Sequence, residues 1–198
     1  MEKIFALAKE TLNNHQVIAF PTETVFGLGV YYDDEEAYNL LNKIKRRKED
    51  KPYTLMLHDI NQISKYAYID EKMIKALSKF MPGPLTILLK SKENVPGYVT
   101  HNTGIIGVRI PENKEALDLL RYLEKPLLVP SANRAGEKPA MNDEEVRQIF
   151  QDEIKVIIPG KAIGGLPSTI IDLTGEDIKL IRQGPISLED IKKALHHH

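Results

Sequence analysis

The chain of 198 residues contains no cysteine, which excludes disulfides, thiolate catalysis and cysteine-based zinc sites and fits a reducing compartment. Neither sign of charge dominates. Twenty-seven basic residues against twenty-eight acidic ones leave a formal net charge of −1, so the surface is not devoted to polyanions and any anion site is local. No apolar run approaches the length of a membrane span, so no membrane partner is expected and the cytoplasm is the plain expectation. Histidine is sparse: with residues 196–198 read as the remainder of a purification tag, His15, His58 and His101 stand far apart and a histidine-rich metal site is not expected. Also missing are a Gly-x-x-x-x-Gly-Lys-Ser/Thr phosphate loop, a Gly-x-Gly-x-x-Gly dinucleotide fingerprint and a Gly-x-Ser-x-Gly nucleophile elbow. Standard nucleotide motifs and acyl-enzyme chemistry therefore do not explain the chain.

What is present is an alternation of helical and strand patterns. Hydrophobic residues make up 42% of the chain, enough for one substantial core, and no repeat or polar linker divides it, so a single domain over residues 1–195 is expected. Ile4, Leu7, Ala8 and Leu12 recur at helical spacing before a strand at Val17 to Phe20. Asp33 with Glu36 predicts a cap for a helix whose apolar face is Ala37, Leu40, Leu41 and Ile44. Further helices are predicted over Glu71 to Phe80, Lys114 to Leu123, Asp143 to Phe150 and Leu188 to Leu195. Strands are predicted at Thr54 to Leu57, Leu85 to Leu89, Ile105 to Ile110, Leu127 to Val129, Val156 to Ile158, Thr169 to Leu173 and Ile178 to Ile181. This pattern predicts an α/β fold, and the short links near the end point to a mixed sheet with antiparallel pairs rather than a doubly wound one.

Chemistry concentrates where strands stop. Phe20 to Gly29 puts Thr22, Glu23 and Thr24 after a short apolar run, with Pro21 ending the strand and Gly27 and Gly29 allowing close backbone approach, which reads as a strand feeding a ligand loop. The run Lys43 to Lys48, followed by Lys51, is the densest positive charge. It reads either as a solvated helix end complementing the macrodipole or as an anion site. At about 100° per residue Lys45 and Arg47 flank the apolar face and are the members aimed inward, with Lys51 able to join them; three such cations suit a triphosphate. Leu128-Val129-Pro130-Ser131-Ala132-Asn133 repeats the strand, proline and polar pair, either as a structural turn or as a site beyond a strand's carboxyl end. Arg109 is a lone cation in an apolar strand and needs an anion, from the protein or from a ligand. Pro167-Ser168-Thr169 reads as an edge turn or a polar contact, and Arg182 as a phosphate contact or a surface residue.

Together these residues resemble the YrdC/TsaC family of threonylcarbamoyl-AMP synthases. The segments that carry the likeness are Pro21 to Gly29, Pro82-Gly83-Pro84-Leu85-Thr86, Val108-Arg109, Pro130 to Asn133, Ser168 to Ile171 and Arg182 to Pro185, with Lys45-x-Arg47 and Ser131-x-Asn133 matching the family's Lys-x-Arg and Ser-x-Asn signature. The resemblance implies an open, twisted mixed α/β sheet with flanking helices around a cleft. It implies that L-threonine, bicarbonate and ATP give threonylcarbamoyl-AMP and pyrophosphate, in the service of tRNA threonylcarbamoyladenosine modification by downstream transferase proteins. By the same resemblance Lys45, Arg47, Lys51, Asn133 and Arg182 serve ATP, with Mg²⁺ bridging the phosphates. Thr24, Arg109, Ser131 and Ser168 hold threonine, and Lys45, Arg47, Ser131 and Asn133 form the catalytic set. Many relatives carry tyrosine where Phe26 stands, and others histidine where this chain has Met56. The chain resembles the short form without the extra domain of longer relatives. A weak RNA affinity of the Lys43 to Lys51 cluster, in a noncatalytic RNA-binding module, and carbamoyl transfer from another donor are the alternatives; near-zero net charge and sparse aromatics weigh against the RNA module.

Overall fold

A computed structural model describes residues 1–47 and 51–197. Lys48 of the cationic run and His198 lie outside the described residues. Nine strands form one mixed sheet in the order β7-β1-β2-β6-β3-β5-β4-β8-β9. These are β1 (Ile18–Pro21), β2 (Phe26–Tyr31), β3 (Leu55–Met56), β4 (Leu85–Lys90), β5 (Ile105–Arg109), β6 (Leu127–Leu128), β7 (Val156–Ile157), β8 (Thr169–Asp172) and β9 (Lys179–Arg182). Pairing is parallel at β1/β7, β3/β5 and β4/β8 and antiparallel elsewhere, including the expected pair β8/β9.

Among the described residues the α-helices are α1 (Glu2–Asn13), α2 (Glu35–Lys45), α3 (Glu71–Leu77), α4 (Lys114–Leu123), α5 (Asp143–Phe150) and α6 (Leu188–His196). Each of the last five begins where an Asp, Asn or Ser side chain accepts a hydrogen bond from a first-turn backbone N–H, which satisfies a donor the helix cannot. For α2 that residue is Asp34 rather than Asp33, whose carboxylate instead meets Lys125 at 3.1 Å. On α1 the buried stripe is Phe5, Ala8 and Leu12; Leu7 is exposed, because the true register of the face begins one residue after Ile4. Helix α3 stops at Leu77, short of Phe80. Two apolar cores cover the sheet. Phe5, Leu12, Leu119 and Leu123 from α1 and α4 pack on Phe20, Met56 and Leu127, while Leu41, Leu77, Val146 and Ile191 belong to the core shared by α2, α3, α5 and α6.

One strand is absent from the pattern-based expectation. Phe26-Gly27-Leu28-Gly29, read as part of a ligand loop, is the start of β2, and all six of its residues are buried. Its glycines make room for neighbouring strands. A Cβ on Gly27 would stand 2.5 Å from Val129 Cγ1, and one on Gly29 would stand 3.0 Å from Phe20 Cε1, so only glycine lets these neighbours pack over the strand. The loop proper shrinks to the residues between β1 and β2.

Candidate functional site

That short loop is built by Thr22. Its hydroxyl donates to Val25 O at 2.6 Å and accepts from the N–H groups of Thr24 and Val25 at 3.2 and 3.3 Å, a threonine-closed turn. The turn buries Thr24 and sets its Oγ1 3.2 Å from an Arg109 Nη2 donor at the end of β5. Arg109 also pairs with the Glu23 carboxylate, which accepts in addition from the Glu112 N–H. The anion this buried cation needed is therefore a protein carboxylate. Arg109 Nε is buried with no hydrogen-bond partner among the described residues. Burial pulls the guanidinium pKa below its ordinary value, and Glu23 acts in the opposite sense.

Beyond β6 the chain keeps pairing with β2. Leu28 N donates to Pro130 O at 2.9 Å and Ala132 N to Phe26 O at 2.8 Å, and Gly27 bridges Ser131. This brings Ser131 beside the threonine turn. From the other side Lys45, the last residue of α2, inserts its ammonium. It donates to Ser131 O at 2.6 Å, Asn133 O at 2.9 Å and Asn133 Oδ1 at 3.2 Å. An ammonium has three N–H donors, and all three are used. Burial, with the Arg47 charge added, lowers the Lys45 pKa to about 8, which leaves it cationic at neutral pH. Ser131 Oγ donates to Asn133 Oδ1 at 2.5 Å, and Asn133 Nδ2 donates to Arg134 O and Glu137 O at 2.8 and 2.9 Å. Every polar atom of the Asn133 side chain thus holds the loop.

Helix α2 ends because Arg46 adopts the left-handed conformation, φ 52°. Arg47 lies past that stop, so the helical projection that aimed it inward does not apply, yet it reaches the same cleft, donating to Lys51 O at 2.6 Å. On the far wall Arg182 Nε donates to Ser168 O at 3.0 Å and its Nη2 to Ser168 Oγ at 3.2 Å, while Ser168 Oγ and Thr86 Oγ1 are 2.9 Å apart. Burial and then the charge of Arg109 lower the Arg182 pKa.

These groups surround one cleft of about 620 Å³. Thr24, Lys45, Arg47, Lys51, Arg109, Ser131, Ser168 and Arg182 all line it, and Asn133 does not, sitting behind Lys45 and Ser131. Phe26 and Met56 are on the wall; His58 lines a separate small cavity beside Gln62. Sequence reasoning missed Lys138, Tyr53, Thr86 and Met141 as lining residues, and Glu23 as the partner of Arg109. Among the described residues the lining includes six cations and no Asp, Glu or His, in a chain whose net charge is −1. The arrangement suits a polyanion and, among the described residues, supplies neither a carboxylate or histidine base nor an acidic metal cage.

A family model described as telomere recombination (Sua5, YciO, YrdC) matches residues 10–184. The chain is 34% identical over 194 residues to a putative threonylcarbamoyl-AMP synthase of Methanocaldococcus jannaschii, covering 97% of this chain and 91% of that protein. Among solved structures, Pyrococcus abyssi Sua5 complexed with L-threonine superimposes with a TM-score of 0.90 at 34% identity over 96% of this chain. The chain spans only 56% of that longer protein. Escherichia coli YciO, named as uncharacterized, superimposes with a TM-score of 0.87 at 27% identity, covering 96% of this chain and 94% of its own.

Proposed function

The chain belongs to the Sua5/YciO/YrdC family, and we propose that it is an L-threonylcarbamoyladenylate synthase serving tRNA threonylcarbamoyladenosine formation. The observation that carries this reading is the cleft wall of six cations without a carboxylate or histidine among the described residues. The two partners of the chemical step, the carbamate and ATP, are both anionic. Threonine's amine adds to carbon dioxide, itself formed from bicarbonate, and loses a proton to give a carbamate. A carbamate oxygen then attacks the α-phosphorus of ATP, the bond from that phosphorus to the bridging oxygen breaks, and pyrophosphate leaves with the electron pair. Such an encounter needs charge and positioning more than a protein nucleophile.

Roles follow from which donors each side chain has to offer. Arg47 and Lys51, with Lys138 at the rim, receive the phosphates. Lys45 contributes charge without a spare donor, and together with Asn133 it positions Ser131, whose hydroxyl faces substrate as an acceptor because its proton goes to Asn133. Arg109 and Thr24 take threonine, the guanidinium meeting its carboxylate, with Ser168 beside them and Arg182 as a second nucleotide contact. Magnesium arrives with ATP, held by phosphate oxygens and water, since the lining offers it no carboxylate among the described residues. The complex of P. abyssi Sua5 with L-threonine supports threonine as a substrate.

The decisive assay is pyrophosphate release from MgATP, required to depend on both threonine and bicarbonate. Arg47→Ala should raise the KM for ATP most and Arg109→Ala the KM for threonine most. A folded sample with no threonine-dependent release overturns the reading, and salt-sensitive RNA binding without turnover would favour the RNA module.

A further inference from the structure

Resting on the proposed use of Arg47 for nucleotide phosphates, we propose that Tyr53 is the positioning residue that holds the Arg47 guanidinium ready for them. Arg47 follows the left-handed residue that ends α2, so helix packing does not orient it. What it meets is an aromatic face. The guanidinium carbon stands 4.7 Å from the centroid of the Tyr53 ring, and Nη2 donates to Lys51 O at 2.6 Å. A contact with the ring face uses none of the five guanidinium N–H donors, so the shelf orients the group while leaving its edge for oxygen ligands.

The shelf is itself fixed. Tyr53 is 4% exposed although it lines the cleft. Its hydroxyl donates to Asn42 Oδ1 at 2.5 Å, and its ring meets Tyr38 edge-on at 5.7 Å and 64°. Asn42 and Tyr38 both belong to α2, the helix that ends at Lys45. One helix thus places Lys45 directly and Arg47 through Tyr53, which keeps the two cations in register and removes rotamer freedom that a phosphate would otherwise have to quench.

The test compares ATP, pyrophosphate and threonine binding by calorimetry for the parent protein, Arg47→Ala, Tyr53→Leu, Tyr53→Phe and the double variant Arg47→Ala/Tyr53→Leu, with thermal melts as a check on folding. Tyr53→Leu should weaken ATP and pyrophosphate about two- to thirtyfold, the range of a cation over an aromatic ring, with threonine unchanged. Tyr53→Phe keeps the ring and should stay within about twofold of the parent. In the Arg47→Ala background Tyr53→Leu should cost nothing more, because the group it positions is gone. Unchanged ATP binding in Tyr53→Leu, equal losses in the Leu and Phe variants, equal weakening of both substrates, or additivity with Arg47→Ala each overturns the proposal. If Arg47→Ala itself leaves ATP binding intact, the phosphate reading of Arg47 fails and takes the proposal with it; the two failures are distinct. Should Tyr53→Leu not fold, Tyr53→Met carries the test, because it fills the position without an aromatic face. Weaker ATP binding with threonine unchanged supports the proposal, and unchanged ATP binding overturns it.

Discussion

Lys45→Met separates the cost of burying a charge from the use of that charge. The lysine is 4% exposed and has no carboxylate partner among the described residues; its ammonium is held by carbonyl oxygens alone. Two of those three acceptors have another donor, because Ser131 O also accepts from Asn133 N and Asn133 Oδ1 also accepts from Ser131 Oγ. Removing the ammonium therefore deprives one acceptor, Asn133 O, of its side-chain donor, a cost of about 1–3 kcal/mol, while methionine preserves the volume of the stem. Against this stands the penalty of the buried cation. Its pKa is about 8 in the folded protein and 10.5 as the ordinary value, and the gap corresponds to about 3 kcal/mol. Because the folded pKa is the lower one, the unfolded chain binds more protons between these values. The penalty is fully present below about pH 8 and disappears as pH rises toward 10.5. Lys45→Met is thus expected within about 2 kcal/mol of the parent at pH 7. Between pH 7 and pH 10 the parent should gain about 2.5 kcal/mol relative to the variant. Urea unfolding of both proteins at both pH values, followed by far-UV circular dichroism, measures this difference of differences, in which other titrating groups cancel. A stability gap that does not change with pH, or a variant more than about 4 kcal/mol less stable at pH 7, refutes the reasoning. On the proposed reading, ATP binding by the variant should weaken in either case, because a charge beside the phosphates is gone.

Glu23→Gln leaves the buried Arg109 guanidinium without its carboxylate and should lower unfolding stability by about 3–5 kcal/mol; a urea midpoint equal to the parent's would show that the pair is not structural. Asn133→Ala removes four hydrogen bonds at once and should cost about 4 kcal/mol, against about 1 kcal/mol for Ser131→Ala, which a pair of denaturation curves compares directly. Gly27→Ala forces a methyl into Val129 and should cost about 1–3 kcal/mol in the same assay; a neutral outcome would mean that Val129 repacks freely.

Why the strand ends were legible while β2 was not comes down to range. A proline after a short apolar run acts locally, so Pro21 and Pro130 marked the two loops correctly, and Lys114 to Leu123 and Asp143 to Phe150 emerged with the bounds their caps impose. Gly27 and Gly29 look local too, but the reason for them is the Val129 and Phe20 side chains of other strands, which no window around β2 contains. The same limit governs the site. Residue types pointed Lys45 and Arg47 to the cleft and helical projection held for Lys45 alone, yet the partners that decide what each cation can do lie far away in sequence: Ser131 and Asn133 for Lys45, Glu23 for Arg109. Those partners change the chemistry. A lysine with three carbonyl acceptors offers a ligand its field and no hydrogen bond, and an arginine already paired with a carboxylate has part of its charge neutralised before a second carboxylate arrives. On the proposed reading, specific contacts to phosphate oxygens fall mainly to Arg47 and Lys51, which follow the end of α2, with Lys138 at the rim. That shift is what makes the aromatic shelf under Arg47 matter to the proposed reaction, since a guanidinium on a loop meets a triphosphate in one geometry only if another group holds it there.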